Sequence, residues 1–405
     1  ESWWPFATFT EFKPRYAIGV AGNPPNYDRQ YDVWAASNGL PTKTTLGNPF
    51  LKPERTVEQE AGLDMIVANK YQLRFTYARQ VTRDQIISMT LPATSGYPSR
   101  YENAGEITGH TYEAELEAQL VNRQNFSWNM SLVADRSGSK ITEWKRACLG
   151  AANSLGITCK GVQLGDMYVN RFLRSKNNLP RTIAQYADQF DINDDGYVVW
   201  VGPGRTWQDG FTNKCAPNPN CWGSTTSLSG YPTTVRWGMP LVELDSGGFF
   251  AKLFAGTSVP EAQVGWLNNF NYRGVSIHTH LRAQIGGETY NNTKRNLFTS
   301  GQRHAEMDQT GKSRETQKPI DYYTVGLGSG ETFANTHFIE DATFVKLASL
   351  SVQYRFNRNQ LSRVGLGRVA NTLAIGVTGQ NLHTFTGYTG YDPEVGGIFF
   401  RVDQW

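Results

Sequence analysis

The sequence predicts an all-β protein, an antiparallel β-barrel that crosses a membrane. Three observations point there. First, Tyr112, Ala114, Leu116, Ala118 and Leu120 alternate with Thr111, Glu113, Glu115, Glu117 and Gln119. After a break at Val121–Gln124 the pattern resumes, with Phe126, Trp128, Met130, Leu132 and Ala134 on one side. Strict period-2 alternation of this length marks strands with one apolar and one wet face. Second, the wet face carries Glu113, Glu115 and Glu117. Unpartnered carboxylates are costly in a dry sandwich core but cheap beside water, and a membrane barrel supplies lipid outside and a hydrated lumen inside. Third, short connections (Asn69-Lys70, Val121–Gln124, Arg273-Gly274) alternate with long ones (Ile87–Thr108, Ser137–Gly247, Gly286–Glu340). Bacterial barrels show this asymmetry, with short periplasmic turns and long outer loops.

Taken in order, Lys13–Val20 is a short strand that runs into a turn at Ala21–Pro25, and a loop with Pro41, Gly47, Pro49 and Pro53 follows. Thr56–Ala68 then alternates, with Val57, Ala61, Leu63, Met65 and Val67 on one face. Tyr71, Leu73, Phe75 and Tyr77 oppose Gln72, Arg74 and Thr76, so the two segments form a hairpin about Asn69-Lys70. Thr90–Gly105 reads as a loop before the two strands described above. The stretch approximately 138–247 alternates weakly and is rich in Pro, Asn and Gly, as expected of a loop-rich extracellular insert with few strands. Val264–Tyr272 restores the pattern, Arg273-Gly274 turns the chain, and Val275, Ile277, Leu281, Ala283 and Ile285 alternate with Ser276, His278, His280, Arg282 and Gln284. A long polar loop fills approximately 286–340. Thr343–Phe356 and Thr372–Leu382 are the last clear strands.

Composition narrows the function classes. Lys+Arg total 39 against Asp+Glu 36, a net charge of +3, which is no field for nucleic acid. Aromatics reach 13%, with 11 Trp, suiting interfacial girdles and also carbohydrate contacts. A mean hydropathy of −0.48 fits a barrel that shows only alternate residues to lipid. No apolar run approaches the ~20 residues of a spanning helix. No signal peptide is visible at Glu1, so the start reads as a processed end or a fragment.

Candidate sites are few. Cys148, Cys159, Cys215 and Cys221 lie in polar sequence, and short closures favour Cys148–Cys159 and Cys215–Cys221 disulfides in an oxidising exterior. Zinc lacks a C-x2-C spacing and nearby histidines; free thiols are the remaining alternative. Asp191–Gly196 reads D-x-N-x-D-G, the opening half of a calcium loop, with Asp191, Asn193, Asp195 and the Tyr197 carbonyl as oxygen donors. Its twelfth position is Gly202, so the bidentate glutamate is missing, and an Asn/Asp-rich surface turn is the rival. No cofactor is required; a calcium ion at this loop is the one candidate. Arg74, Glu113, Glu115, Glu117, His278, His280 and Arg282 are read as lumen-facing, with Arg74 a partner for the glutamates. Loop aromatics Trp200, Trp207, Trp222, Tyr388 and Tyr391 are candidates for stacking on sugar faces or, alternatively, for packing. Gly311-Lys312-Ser313 resembles a P-loop end, but Glu306 stands where its glycine belongs. Gly365–Ala370 imitates a dinucleotide fingerprint but precedes a strand. No G-x-S-x-G, H-E-x-x-H or paired-carboxylate site is present, so no enzyme is expected.

Several blocks carry a family resemblance. Asn48–Thr56 (NPFLKPERT) followed by Glu58, Glu60 and Gly62, Asn103–Ile107 with Gly109, Phe270–Gly274 with Gln284–Gly287, Val345–Leu347 within Ile339–Leu350, and Gly379–Leu382 with Tyr388–Glu394 (YTGYDPE) occur in order. As a set they resemble the SusC/RagA-like branch of the TonB-dependent outer-membrane transporters. The resemblance implies a barrel of about 22 strands in the full protein, an N-terminal plug, a TonB box, and localisation in the bacterial outer membrane. No plug domain is visible here. Glu1–Phe12 reads as the middle of a barrel strand, and Phe399–Trp405 stops before an aromatic-ended last strand. The expectation is therefore that 1–405 is the C-terminal part of a barrel domain, supplying roughly 10–14 strands.

The function implied is active import of nutrients, glycan fragments or oligopeptides, with no covalent chemistry. Implied partners are the TonB complex through the missing N-terminal part, the plug domain, a SusD-like surface lipoprotein and outer-membrane lipid. Two rivals stand beside it: a scaffold barrel that lost transport, distinguishable by its upstream TonB box, and a secreted soluble β-sandwich that binds sugars or surfaces, distinguishable by release in high salt.

Overall fold

Long alternating segments pair into one antiparallel sheet, while segments without period fold into compact outer inserts. A computed structural model describes residues 9–37, 39–148, 150, 155–209, 222–300, 304–328 and 334–395. The first strands are β1 (Phe9–Asn23), β2 (Val33–Ser37), β3 (Leu40–Leu46), β4 (Glu54–Val67), β5 (Tyr71–Thr90), β6 (Ser99–Arg123) and β7 (Phe126–Trp144). An insert holds the short β8 (Asp166–Asn170), β9 (Phe190–Ile192), β10 (Val198–Trp200), β11 (Thr225–Ser227), β12 (Thr234–Arg236) and β13 (Lys252–Thr257). The hairpin β14 (Ala262–Tyr272) and β15 (Val275–Ile285) follows. A second insert holds β16 (Glu288–Tyr290), helix α1 (Asn292–Thr299) and β17 (Ile339–Asp341). The chain then runs through β18 (Phe344–Asn357), α2 (Arg358–Arg363) and β19 (Thr372–Thr386).

The main sheet has 11 strands, within the range expected from the sequence, in the order β1-β4-β5-β6-β7-β14-β15-β18-β19, with the β2–β3 arm attached. Neighbours on that path are antiparallel; β3 meets β6 in parallel at Thr45 and Leu46. Among the described residues β1 and β19 are the edges, so these strands form a wall and not a closed ring.

Register keeps one face apolar across the wall. Tyr16 lies beside Ala61 and Ala61 beside Tyr77; Leu116 lies beside Leu132, Leu132 beside Trp266, and Trp266 beside Leu281. No second sheet covers this face among the described residues. Ile18 is 61% exposed, Val377 77% and Phe385 61%, while Phe126, Trp128 and Met130 stay half-exposed. A β-sandwich would seal these side chains; a lipid-facing wall leaves them bare.

One of the expected connections proves shorter than the sequence suggests. Ile87–Thr90 and Ser99–Thr108 belong to β5 and β6, so the Thr90–Gly105 loop shrinks to a tip at residues 91–98. Met89, Glu102, Ala104 and Thr108 are buried by protein here, so alternation between lipid and water is no longer required. The β5–β6 pairing is bulged between Thr82 and Ile86. The NPFLKPE block clamps this extension. Asn103 Oδ1 accepts the Lys52 N–H at 2.9 Å, its Nδ2 donates to the Asp84 carbonyl at 2.7 Å, and Asn48 Nδ2 donates to the Tyr101 carbonyl at 2.8 Å. At the opposite end, Ala68 (φ 50°) and Asn69 (φ 52°) are both left-handed, and Lys70 N–H donates to Val67 O at 3.1 Å. Arg273 (φ 47°) and Gly274 (φ 95°) repeat that geometry. Turns with two positive φ values match the twist of the flanking strands.

The inserts are not plain loops. Leu173, Ile183, Phe190, Val198, Trp237 and Leu241, with neighbours, form one buried core. A second core joins Phe172, Tyr197 and Met239 of the first insert to Tyr290, Phe298, Tyr322 and Phe338 of the second. The expected polar loops at 138–247 and 286–340 therefore pack into one body at the long-loop end. Cys148 and Cys159 at its base are disulfide-bonded, with Cα atoms 4.6 Å apart. Cys215 and Cys221 lie outside the described residues.

Candidate functional site

The polar face of the wall is tied by ion pairs that run across strands. Arg15 on β1 meets Asp64 on β4 at 3.0 Å and Glu60 at 3.3 Å. Asp64 also faces Arg74 of β5 at 3.7 Å, and Arg74 pairs with Glu115 of β6. Glu115 is thus partnered by Arg74 within an alternating chain of charges that spans four strands. Glu113 and Glu117 flank it on the same face, opposite Thr76 and Gln72. A chain of this kind holds carboxylates on a wet surface without a large net field.

His278, His280 and Arg282 sit on the polar face of β15. His278 Nδ1 donates to Asn269 Oδ1 at 2.6 Å. Arg282 lies directly across from Lys346 of β18, an unfavourable like-charge pair on its own. The YTGYDPE segment resolves it. Asp392 reaches Lys346 at 2.9 Å, Glu394 pairs with the same ammonium, and Glu394 also meets Arg282 at 2.9 Å. The Lys346 side chain is only 2% exposed. A cavity of about 350 Å³ opens beside this cluster, lined by Asp135, Gln263, His280, Arg282, Phe344 and Glu394 among others.

A second polar relay crosses the outer body. The Tyr197 hydroxyl is 3.0 Å from His337 Nδ1, and His337 Nε2 is 3.0 Å from Glu306. Glu306 also takes Lys294 at 2.5 Å, and Lys294 faces Glu340 at 3.5 Å. Glu340 in turn accepts the Thr389 N–H at 2.8 Å. Burial opposes charge on Glu306, but its bonds from His337 and Lys294 outweigh that and hold the carboxyl down at about 2. The relay links both inserts to the segment after β19.

The D-x-N-x-D-G stretch folds as a tight turn. Asn193 Oδ1 accepts the N–H groups of Asp195 (3.1 Å) and Tyr197 (2.9 Å), and Asp191 accepts the Trp207 N–H at 3.0 Å. Lys318, with its side chain 1% exposed, brings its ammonium 2.8 Å from Asp195 and against Asp194. Tyr322 donates to Asp195 at 2.5 Å. Burial, then the Asp195 charge, pushes the Tyr322 phenol well above its ordinary range, so it remains a donor. A protein ammonium thus lies against the carboxylates that a calcium ion would need.

The aromatic candidates separate. Trp200 (4% exposed) and Trp207 (7%) are core residues with no face left for a sugar, which fits the packing alternative for these two. Trp200 belongs to the apolar run Tyr197–Val201, a sequence signal of burial; Trp207 has no such run around it. Trp222 is half-buried edge-on to Trp237, with ring centroids 4.9 Å apart. Tyr388 is buried, whereas Tyr391 is 77% exposed beside a cavity of about 160 Å³ lined by Asn291, Lys294 and His304. Lys346, Asp392, Glu394 and the relay through His337 were not marked as site residues, because their partners lie far apart in sequence; Asp392 and Glu394 stood out only as part of a motif.

Comparison with known proteins follows the same line. The family model described as TonB dependent receptor-like, beta-barrel matches residues 6–214. TonB-dependent receptor P3 of Formosa agariphila is 25% identical over 401 residues, covering 96% of this chain and 36% of that protein. TonB-dependent receptor P26 of the same organism is 23% identical over 402 residues, covering 96% and 37%. The chain therefore spans little more than a third of these relatives' length. Among solved structures, the RagAB peptide importer in its closed-closed state superposes with a TM-score of 0.64 at 16% identity, covering 97% of this chain and 39% of that one. A second RagAB peptide transporter structure gives a TM-score of 0.64 at 17% identity, covering 96% and 38%.

Proposed function

The chain belongs to the TonB-dependent receptor-like β-barrel family, and on that premise we propose that it forms one side of the barrel of an active outer-membrane nutrient importer. Residues 1–405 then supply part of a single barrel domain with two outer inserts, and the plug lies elsewhere on the polypeptide. The observation that carries the reading is the two-faced wall: one face bare and apolar, the other laddered by Arg15, Asp64, Arg74 and Glu115. An importer needs both faces, one to stay in lipid and one to pass a hydrated cargo. The packed outer inserts suit capture at the cell surface. The cargo is a glycan fragment or an oligopeptide, the partners are the TonB complex and a SusD-like surface lipoprotein, and no covalent step is involved.

Uptake of labelled oligopeptides and glycan fragments by cells expressing the complete polypeptide tests this. Import that requires both TonB and the proton gradient supports the reading. Uptake unchanged without TonB, or in proteoliposomes lacking the plug-bearing part, contradicts it, and no uptake of either cargo class favours a scaffold barrel.

A further inference from the structure

The connections at the short-turn end of the wall carry charge of one sign. The four connections, residues 68–70, 124–125, 273–274 and 358–371, contain no aspartate or glutamate. They and their flanks carry Lys70, Arg123, Arg273, Arg358, Arg363 and Arg368, in a chain whose basic and acidic residues total 39 and 36. The connection between β18 and β19 contributes half of these cations. It begins with α2, whose N-cap Asn357 and Gln360 exchange hydrogen bonds with each other's backbone N–H in a capping box. Leu361, 2% exposed, pins α2 against the strand ends, and Gln360 Nε2 donates to the Tyr354 hydroxyl at 2.8 Å.

That anchoring leaves the rest of the connection facing outward. Val364 is 68% exposed, Leu366 46% and Val369 86%, while Arg358, Arg363 and Arg368 are all exposed. The apolar trio continues a surface already bare on β19, where Leu373, Ile375 and Val377 are exposed. Just inside this end lies an aromatic row on the same face: Phe126 beside Tyr272, and Tyr354 beside Val275 on the next strand pair. Aromatic rows mark the headgroup level of a bilayer. Beyond it, arginines mixed with apolar side chains form the composition of a segment lying in the interface, with chain carbons in the acyl boundary and cations at the phosphates.

We propose that residues 358–371 are a lipid-binding collar: Arg358, Arg363 and Arg368 hold the headgroups of anionic phospholipids in the leaflet at the short-turn end, and Val364, Leu366 and Val369 enter that leaflet. Continuity with the lipid-facing wall and the absence of acidic residues select this occupant over a protein partner. The proposal rests on the outer-membrane barrel reading, so its test separates the two.

The experiment reconstitutes the complete polypeptide in mixed bilayers with spin-labelled phosphatidylglycerol or spin-labelled phosphatidylcholine and measures the motionally restricted lipid by electron paramagnetic resonance. The total restricted fraction reports barrel contact with lipid of any headgroup; the ratio between the two probes reports the collar. The wild type prefers phosphatidylglycerol by at least about fivefold, as one cation at an anionic surface supplies. The triple variant Arg358→Gln, Arg363→Gln, Arg368→Gln keeps the total restricted fraction and loses the preference, while Arg171→Gln in the outer body keeps both. Equal restriction of the two lipids by the wild type, or an undiminished preference in the triple variant, overturns the collar. Absence of any restricted lipid overturns the barrel reading itself. Heat-modifiable migration of each variant confirms that it folds.

Discussion

Replacing Lys346 by Met would release the segment after β19. The ammonium is 2% exposed and is shared by Asp392 and Glu394, whose side chains are 14% and 19% exposed. Methionine fills similar volume, so little packing is lost; what changes is that Glu394 keeps one cation, Arg282, itself 51% exposed, and Asp392 keeps only the Glu394 N–H. Removing one partner of a buried ion cluster costs about 3–5 kcal/mol. That cost falls on the contact between the YTGYDPE segment and the wall, because the β18 ladder to β19 is backbone-made. Amide hydrogen exchange across residues 387–395 is the assay. Protection there should drop by roughly 150- to 5,000-fold, the exchange equivalent of that energy, while β18 and β19 keep theirs. Adding Asp392→Asn and Glu394→Gln to Lys346→Met removes the stranded charges and should recover part of the loss, a coupling of about 0.5–3 kcal/mol. Unchanged protection in Lys346→Met, or no recovery in the triple variant, would refute the electrostatic argument.

Other consequences are as direct. Trp237→Ala empties the centre of the outer core, where Trp237 is 0% exposed, and should cost about 3–5 kcal/mol of insert stability; proteolysis of 155–209 should accelerate while the barrel's heat-modifiable migration stays unchanged. Glu306 has a folded pKa of about 2 against an ordinary 4.5, so its contribution is full above pH 4.5 and is lost as pH falls from there toward about 2. Exchange protection of the inserts should therefore weaken across that window, and Glu306→Gln should flatten the decline. Millimolar calcium should leave the protection of residues 190–200 unchanged, since Lys318 already lies against Asp194 and Asp195; a calcium-induced rise would support the ion-binding reading instead.

The wall was legible because lipid imposes a strict period. Every second residue of Tyr112–Leu120 and Phe126–Ala134 must be apolar on one face, and nothing but register is needed to read it. The strand ends at Ile87–Thr90 and Ser99–Thr108 were not legible, because above the apolar band Glu102, Asn103 and Gly105 serve clamps and bulges in place of alternation. The insert cores were hidden for another reason. Their buried residues come from strands of three residues and from irregular backbone, so Leu173, Ile183 and Trp237 converge from separate places with no repeat to announce them. The charges of the polar face were half legible: alternation placed Arg74 and Glu115 on one face, but the pairing of Lys346 with Asp392 and Glu394 required the chain to fold back.

The central claim is that the bare face of the wall meets acyl chains and the ion-paired face meets water. Nitroxide labels placed one at a time from 126 to 134 in the complete polypeptide, reconstituted in bilayers, test it by collision with oxygen and with a water-soluble nickel chelate. Labels at positions 128, 130 and 132 should be relaxed by oxygen, and those at 127, 129 and 131 by nickel, in strict alternation. An inverted phase, or no alternation at all, would contradict the account.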